Sequence, residues 1–312
     1  MISAVVPAFN EEESFSELYG ELTKVLPALD NNYEIIFIDD GSTDNSLDVL
    51  KKIAAKDKKV RIFSFRKHRG KADALIAGFR VAKGDYIFTM DSDLEDKPSE
   101  MLKLYKKIKE GNDVVVGWRK NRKHSLSRVI SSRFSNFVIS LLWGFKLHDH
   151  NCGLKVFTKD AAKSLRLYGG LYRFMLLLVY LKGFKVAEVE IVHQNRKYGK
   201  SKYGFFRLWR DVPDALTIFF LTKFGERPLH FFGFIGGIVS AIGLIILTYL
   251  AVLHFQGEKI GNRPLLTYGV LFVVAGFQIL FTGFLADLIL HISQKGNHEN
   301  EVPAEMFKYK TE

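Results

Sequence analysis

The sequence predicts an α/β domain built on a largely parallel sheet, followed by a transmembrane helical hairpin. Short runs rich in β-branched residues alternate with longer helical patterns over about the first two thirds of the chain. Two long apolar segments without charged residues in their centres lie near the C-terminus. Acidic residues follow several of the predicted strands, at the sheet edge where α/β folds bind their ligands.

The alternation of strands and helices begins at the N-terminus. The predicted strands are ISAVVPAF, YEIIFIDD, VRIFSF, DYIFTMD and DVVVGW. The helices between them are SFSELYGELTKVL, NSLDVLKKIAAK, KADALIAGFRVAK and SEMLKLYKKIKEG. This order is typical of βαβ units, and such units form a mostly parallel sheet.

The apolar segments 230–253 and 265–291 are each long enough to cross a bilayer as a helix. A buried helical pair in a soluble core is the alternative. The preceding stretch mixes aromatic and basic residues and predicts interfacial amphipathic helices, with packing against the soluble domain as a competing interpretation. We therefore expect a cytoplasmic domain, interfacial helices, a transmembrane hairpin and a cytoplasmic tail, at 1–203, 204–228, 229–292 and 293–312.

Composition restricts the possible functions. The 312 residues are 47% hydrophobic and carry a formal charge of +11, which admits nucleic acid, an anionic membrane or phosphate-bearing substrates as partners. The single cysteine, Cys152, excludes an internal disulfide framework and a thiolate zinc cluster. The N-terminus has no basic leader before its short apolar run, so we expect the first domain to stay in the cytoplasm.

The segment FTMDSDLEDKP places several carboxylates at the end of a predicted strand. Such hard oxygen ligands suit Mg²⁺ or Mn²⁺ shared with a diphosphate, although a solvated turn also tolerates them. If the strand continues, Asp93 and Glu95 face the same side and form a ligand pair. Asp91 is then available to hydrogen-bond a ribose or a base.

Acidic residues also end the second predicted strand, where Asp39 and Asp40 precede a Gly-Ser turn. Their carboxylates could accept hydrogen bonds from a nucleotide base or from sugar hydroxyls. The alternative is a turn that caps the next helix.

Two basic sets point to phosphate, although solvated surface charge explains many such sets. The loop RKYGKSKY at 196–203 could close over the phosphates of a bound donor. A second set suits an acceptor phosphate or lipid headgroups and comprises Arg119, Arg122, Arg128, Ser132, Arg133 and Ser135.

Several familiar signatures are missing from the sequence. No GxGxxG follows the first strand, and no HExxH is present. The GKS at 199–201 is not a P-loop, because Gln194 stands where the motif requires glycine. Dinucleotide and P-loop folds are therefore disfavoured.

Six motifs follow one another along the chain: VVPAFNEE, IDDGSTD, HRGKADALIAGF, MDSDLEDKP, DHNCGLKVF and RKYGKSKY. In this order they resemble family 2 glycosyltransferases of the GT-A fold. Within that family they are similar to polyprenyl-phosphate glycosyltransferases, the group of dolichol-phosphate mannose synthase and bacterial undecaprenyl-phosphate glucosyltransferases. The resemblance covers about two thirds of the chain.

This resemblance implies a role for each matching residue of the donor site. The nucleotide pocket would be lined by Pro7, Phe9, Glu11 and Asp39, with Asp91 on the nucleoside. Asp93 and Glu95 would bind the metal, although relatives commonly have Gln at the second position. The diphosphate would be contacted by Arg196 with Lys200 or Ser201.

The acceptor side follows from the same resemblance. The lipid phosphate would be received by Arg119, Ser132 and either Arg128 or Arg133. Asp149 matches a recurring acid of the family and is a candidate catalytic residue. It precedes Gly-Leu-Lys, where many relatives have Gly-Phe-Arg.

The implied reaction transfers a sugar from a UDP- or GDP-linked donor to undecaprenyl or dolichyl phosphate, with inversion. The enzyme would be a multi-pass protein of the inner membrane, and the bacterial relatives imply a homotetramer. A phosphate monoester has a second pKa of about 6, so the acceptor needs no strong general base. The alternatives are another membrane acceptor, such as diacylglycerol or a polysaccharide, and a non-catalytic nucleotide-binding scaffold. Nucleic acid is not an expected partner, because the charges cluster near the predicted phosphate sites.

Overall fold

A seven-stranded mixed sheet forms the centre of the N-terminal part of the chain. The computed structural model describes residues 1–120, 139–140, 142–194, 216–261 and 263–297. The strands are β1 (Ile2–Ala8), β2 (Tyr33–Asp39), β3 (Val60–Ser64), β4 (Tyr86–Thr89), β5 (Val114–Trp118), β6 (Lys155–Thr158) and β7 (Val186–Glu190). Their order is β3-β2-β1-β4-β6-β5-β7. Only β6 runs antiparallel to its neighbours in this sheet.

Helices connect the strands and bury one apolar face each. They are α1 (Phe15–Leu29), α2 (Ser46–Lys56), α3 (Lys71–Val81), α4 (Met101–Lys109), α5 (Lys159–Ser164) and α6 (Met175–Leu181). In α1 the buried side chains recur every three or four residues, at Phe15, Leu18, Leu22 and Leu26. This spacing gives one apolar stripe on a helix. The two interior strands β1 and β2 are buried along their whole length.

The predicted α/β fold with a mostly parallel sheet is confirmed. All five predicted strands and all four predicted helices are present, with ends that shift by a few residues. The strands β6 and β7 were not predicted. Strand β6 enters between β4 and β5 in the opposite direction to both.

The chain divides into two compact units, Met1–Ala215 and Leu216–Glu312. The second contains two long helices, α7 (Pro228–Phe255) and α8 (Pro264–Asn297). They pack closely as a hairpin through glycines. A Cβ on Gly276 would lie 2.6 Å from the carbonyl oxygen of Gly236, so a larger residue would push the helices apart.

The α7–α8 hairpin exposes its apolar side chains. Both helices are long and apolar enough to cross a membrane, over Pro228–Phe255 and Pro264–Ile292. Phe234 is 71% exposed, Ile245 69% and Ile289 66%. A buried helical pair in a soluble core would not present such a surface. Of the predicted interfacial stretch, 216–223 is helical, and 204–215 lies outside the described residues.

Candidate active site

The carboxyl ends of β1, β2 and β4 meet at one edge of the sheet. Ala8 of β1 pairs with Asp39 of β2, and Val5 pairs with Thr89 of β4. The residues after these strands therefore lie close together, as expected for parallel neighbours. Three of the predicted donor-site segments share this edge.

The segment after β1 is attached to the turn after β2. The backbone N–H of Glu11 donates to Ser46 Oγ at 2.9 Å. The ring of Phe9 lies 4.2 Å from the ring of His68, centroid to centroid. The rings of Phe9 and His68 thus form an aromatic surface at this edge of the sheet, beside Pro7.

The two acids after β2 have different partners. Asp39 accepts a hydrogen bond from Ser64 Oγ at 2.6 Å and is buried. Asp40 accepts from the backbone N–H groups of Arg69 and Gly70, at 2.7 and 2.9 Å. Both oxygens of Asp40 therefore hold the loop that precedes α3. This arrangement gives Asp40 a positioning role, and its contact with a base or sugar stays a prediction.

Asp91 is paired with a lysine that begins α3. Lys71 Nζ lies 2.5 Å from Asp91 Oδ1, and the two side chains are 29% and 35% exposed. Burial opposes ionisation of Asp91, but the positive charges of Lys71 and Lys155 hold its pKa below the usual range. Sequence reasoning did not select Lys71, although it lies in the HRGKADALIAGF motif.

The fourth strand does not continue to Asp93 and Glu95, so the condition for their facing the same side of a strand is not met. Strand β4 ends at Thr89, and Leu94 takes a left-handed conformation with φ 57°. The chain instead turns, and Asp93 Oδ1 accepts a hydrogen bond from the backbone N–H of Glu95 at 3.2 Å. The turn keeps the two acids close together. A left-handed leucine is a strained conformation that the surrounding structure must stabilise.

No preformed metal cage is found in the described part of the chain. Within it, no group of three or more His, Cys, Asp or Glu side chains could hold an ion alone. Asp93 and Glu95 supply carboxylate oxygens, and Mg²⁺ commonly binds one or two such groups while substrate phosphates and water complete its coordination. The donor set therefore fits an ion that is shared with a bound diphosphate.

The segment that follows Asp93 is tied to the chain after β7. The N–H of Gln194 donates to the carbonyl of Glu95 at 2.8 Å, and Asp96 forms a β-bridge with His193. Gln194 therefore lies beside the carboxylate turn. The predicted basic loop, 196–203, lies outside the described residues.

Asp96 is the centre of a buried polar cluster that the sequence did not reveal. It accepts from the backbone N–H of Leu154 at 3.2 Å and from the thiol of Cys152 at 3.4 Å. His193 Nδ1 lies 3.3 Å from its other oxygen. Burial opposes ionisation of Asp96, but its bond to His193 and the charge of Arg119 lower its pKa. Burial raises the pKa of the Cys152 thiol, which argues against a nucleophilic role.

Gly153 separates Asp91 from Asp96. A Cβ at this position would lie 2.8 Å from Asp91 Oδ2 and 3.2 Å from Asp96 Oδ2. A side chain here would force the Asp91 carboxylate to shift. The glycine of the DHNCGLKVF motif leaves both carboxylates in place.

Arg119 follows β5 and points to Asp149. Its Nε lies 2.8 Å from Asp149 Oδ2, and its Nη2 donates to Oδ1 at 3.3 Å. The side chains are only 10% and 2% exposed. Asp149 thus fixes a guanidinium that the resemblance assigns to the acceptor phosphate.

A partly open pocket lies beside Asp91. Its wall combines the end of β1, the start of α3, the turn before β6 and the 3₁₀ helix Gly169–Phe174, with Pro7, Lys71, Cys152, Lys155, Tyr172 and Arg173 among the lining residues. His150 also lines it and is buried. Burial lowers the pKa of His150 to about 4.

Several predicted site residues lie outside the described part of the chain. They are Arg128, Ser132, Arg133, Arg196, Lys200 and Ser201, together with Arg122 and Ser135 of the second basic set. The structure brings together eight of the described ones around the ends of β1, β2 and β4: Pro7, Phe9, Glu11, Asp39, Asp40, Asp91, Asp93 and Glu95. The other two, Arg119 and Asp149, pair with each other after β5 and before β6.

Fold and site together define a glycosyltransferase of the GT-A type. A sequence model of the family described as "Glycosyl transferase family 2" matches residues 3–166, and the chain belongs to this family. The predicted family and enzyme class are thereby confirmed.

Solved structures share the fold. Glucosyl-3-phosphoglycerate synthase from Mycobacterium tuberculosis is 20% identical, with a TM-score of 0.54 over 71% of this chain and 80% of that chain. The same enzyme in complex with Mn²⁺ and UDP-glucose is 19% identical, with a TM-score of 0.53 over 70% of this chain and 78% of that chain.

Two kinds of curated relative match most of the chain. Dodecaprenyl-phosphate galacturonate synthase from Rhizobium johnstonii is 35% identical over 294 residues, covering 92% of this chain and 87% of that protein. Undecaprenyl-phosphate 4-deoxy-4-formamido-L-arabinose transferase from Proteus mirabilis is 31% identical over 291 residues, covering 92% and 88%. The match therefore extends beyond the N-terminal unit.

Proposed function

We propose that this protein transfers a sugar from a nucleotide donor to the phosphate of a membrane polyprenol. The observation that carries the proposal is the extent of the similarity. Relatives named as polyprenyl-phosphate sugar transferases match 92% of the chain. That share is too large to stop at the sheet domain, so it includes residues of the exposed apolar hairpin.

The donor would bind at the edge formed by β1, β2 and β4. The nucleoside would contact Pro7, Phe9, Glu11 and Asp39, and Asp91 would hold a hydroxyl or base group while paired with Lys71. Asp93 and Glu95 would hold Mg²⁺ or Mn²⁺. Such an ion, when bound, neutralises charge on the diphosphate and so stabilises it as a leaving group.

The acceptor phosphate would attack the anomeric carbon of the sugar directly. One phosphate oxygen forms the new bond as the bond from that carbon to the nucleoside diphosphate breaks, and a single displacement inverts the anomeric centre. The acceptor is already mostly dianionic near neutral pH, so no strong general base is required.

Basic residues would bring the two anions together. Arg119, held by Asp149, and the segment containing Arg128, Ser132 and Arg133 would receive the acceptor phosphate. Asp149 then acts as a positioning residue for the guanidinium. Arg196 with Lys200 or Ser201 would contact the diphosphate, and the bond from Gln194 to Glu95 supports this placement of the loop.

The hairpin would anchor the enzyme in the cell membrane, where the polyprenyl phosphate lies. In this arrangement 1–203 is the cytoplasmic catalytic domain, 204–228 lies at the interface, 229–292 crosses the membrane twice and 293–312 returns to the cytoplasm. A homotetramer fits the bacterial group that the sequence resembles. Anchoring raises the effective concentration of the lipid at the site.

Label transfer tests this function. Purified full-length protein in lipid vesicles would be given undecaprenyl phosphate, Mg²⁺ or Mn²⁺, and a panel of radiolabelled UDP- and GDP-sugars. We expect label in the chloroform phase only when the phosphorylated lipid is present. Equal labelling of diacylglycerol or of unphosphorylated polyprenol would contradict the proposed acceptor.

A further inference from the structure

The turn that carries Asp93 and Glu95 is held from outside by the chain that follows β7. The backbone N–H of Gln194 donates to the carbonyl oxygen of Glu95 at 2.8 Å. The next residue of the turn, Asp96, forms an antiparallel β-bridge with His193, which lies 97 positions later in the sequence. Two adjacent residues of the turn are therefore paired with two adjacent residues of a distant segment.

The turn depends on such support, because its own backbone is unfavourable. Leu94, between the two predicted metal ligands, has a φ of 57°, a left-handed conformation that leucine rarely adopts. Inside the turn the N–H of Glu95 donates to Asp93 Oδ1 at 3.2 Å, the long end of the usual range. Contacts from other segments must therefore hold Glu95 where its carboxylate can meet that of Asp93.

The side chains of Asp96 and His193 make the contact between the two segments specific. Both are almost completely buried, with 4% and 7% of their side chains exposed. His193 Nδ1 lies 3.3 Å from Asp96 Oδ1, and a carboxylate oxygen only accepts, so this nitrogen carries the hydrogen. The other oxygen of Asp96 accepts from the backbone N–H of Leu154 and from the Cys152 thiol. Asp96 is thus anchored to the turn before β6, and His193 attaches the chain after β7 to that anchor.

The position of this contact links it to metal binding. Asp93 and Glu95 are the two carboxylates of the proposed site, and the described residues contain no group of three or more His, Cys, Asp or Glu side chains that could hold an ion. An ion with so few protein ligands loses affinity when one of them is displaced. Residues that orient metal ligands commonly alter metal affinity by about 10- to 100-fold for this reason. Because Asp96 directly follows Glu95, a shift of its contact with His193 moves the backbone of a ligand.

We propose that His193 is a positioning residue for the metal. Its bond to Asp96 holds the backbone of Glu95, so that Glu95 and Asp93 can bind one Mg²⁺ or Mn²⁺ together with the diphosphate. His193 itself contacts neither the ion nor the donor in this arrangement. The inference rests on the proposed function, because it assumes that the donor diphosphate and its ion bind at this turn.

Mn²⁺ affinity tests this role without catalysis. Mn²⁺ would be titrated into full-length protein in the presence of excess UDP or GDP and followed by EPR. His193→Ala removes the N–H group, so we expect the Kd of Mn²⁺ to rise by about tenfold or more. In His193→Asn the side-chain amide can place an N–H group close to the position of Nδ1, so most of the affinity should return. His193→Phe keeps a ring without an N–H group and should behave as His193→Ala does.

A buried polar residue at the opposite edge of the sheet is the control for lost stability. Ser3 lies near the start of β1, whereas the turn follows the end of its parallel neighbour β4. Its Oγ donates to Glu34 Oε1 at 2.7 Å and accepts from the N–H of Gly84 at 2.8 Å. Ser3→Ala should lower Tm, because it leaves those groups without this partner, but it should leave the Kd of Mn²⁺ unchanged.

Three results would overturn the proposal. One is wild-type Mn²⁺ affinity in both His193→Ala and His193→Phe. Another is a loss in His193→Asn as large as that in His193→Ala, since the bond to Asp96 would then not be the cause. The third is an equally strong loss of Mn²⁺ affinity in Ser3→Ala, which would trace the effect to stability alone.

Label transfer judges the proposed function separately. Sugar transfer to polyprenyl phosphate by wild type, with Mn²⁺ binding that does not depend on His193, would retain the function and reject this inference. Mn²⁺ binding that depends on His193, without transfer to polyprenyl phosphate, would retain the inference and reject the function.

Discussion

Arg119 and Asp149 form a bidentate ion pair that is almost completely removed from solvent. The two contacts measure 2.8 and 3.3 Å, and the side chains are 10% and 2% exposed. The pair links the end of β5 to the turn before β6, and Gly153 of that turn lines the pocket beside Asp91. Its integrity therefore affects both stability and the geometry of the site.

Removing one member of this pair should destabilise the fold strongly. Asp149→Ala leaves a buried guanidinium without its partner, which typically costs about 3–5 kcal/mol. The exposed pair of Lys120 and Glu190, 3.2 Å apart and more than half exposed on both sides, is the control. Glu190→Ala should cost less than about 1 kcal/mol. Thermal unfolding of the two detergent-solubilised variants measures the difference in stability. Equal Tm values would show that the buried pair stabilises the fold no more than the exposed pair does.

His150 should make stability depend on pH. Burial lowers its pKa from 6.5 to about 4, so between these values the unfolded chain binds more protons than the folded one. His150 therefore costs no stability above pH 6.5, an increasing amount as the pH falls, and a constant amount of about 3 kcal/mol below pH 4. Denaturant unfolding of wild type and His150→Gln at a series of pH values isolates this contribution. If the free energies of unfolding of wild type and His150→Gln change with pH in parallel from pH 7 to 4, His150 is solvated or charged in the fold.

A methyl group at Gly153 should disturb the site specifically. The added Cβ would press on the carboxylates of Asp91 and Asp96, so we expect Gly153→Ala to lower sugar transfer by about tenfold or more. Gly20→Ala in α1 is the matched control, because nothing lies within 4 Å of its added Cβ. That variant should keep full activity and equal or slightly higher stability. If Gly153→Ala transfers sugar at the wild-type rate, displacement of the Asp91 carboxylate does not affect the reaction.

Removal of the residues after about 225 should separate donor binding from lipid transfer. The truncated protein keeps the whole described sheet and every donor-site residue, but it loses the α7–α8 hairpin. We expect nucleotide binding to persist while transfer to polyprenyl phosphate in vesicles becomes poor. Nucleotide binding serves as the internal control for folding. Undiminished lipid transfer would remove the anchoring role from the hairpin.

Much of the fold was predictable because it follows from local patterns. Strands β1 to β5 are short apolar runs followed by turn residues, and α1 to α4 carry buried residues at helical spacing. Strand β6 has only four residues and includes the buried Lys155, so its strand state depends on pairing with β4 and β5. No local pattern marks such a strand.

The clustering of the predicted donor-site acids could be foreseen, but their partners could not. Asp39 ends a strand, Asp91 and Asp93 follow one, and parallel pairing brings strand ends together. The partners of these acids come from distant segments: Lys71 binds Asp91, and the N–H groups of Arg69 and Gly70 bind Asp40. The left-handed Leu94 could not be foreseen either, because leucine rarely adopts that conformation and tertiary packing must hold it.

Metal binding at the turn after β4 is the most direct test of the proposed donor site. Mn²⁺ would be titrated into full-length protein and followed by EPR, with and without UDP and GDP, in wild type and Asp93→Asn. The proposed site has two protein ligands, Asp93 and Glu95, so we expect tight Mn²⁺ binding in wild type only when one of the nucleoside diphosphates is present. In Asp93→Asn that binding should be lost and sugar transfer abolished, while the variant still inserts into membranes. Unchanged Mn²⁺ binding in Asp93→Asn, or its full activity after metal depletion, would contradict the assignment.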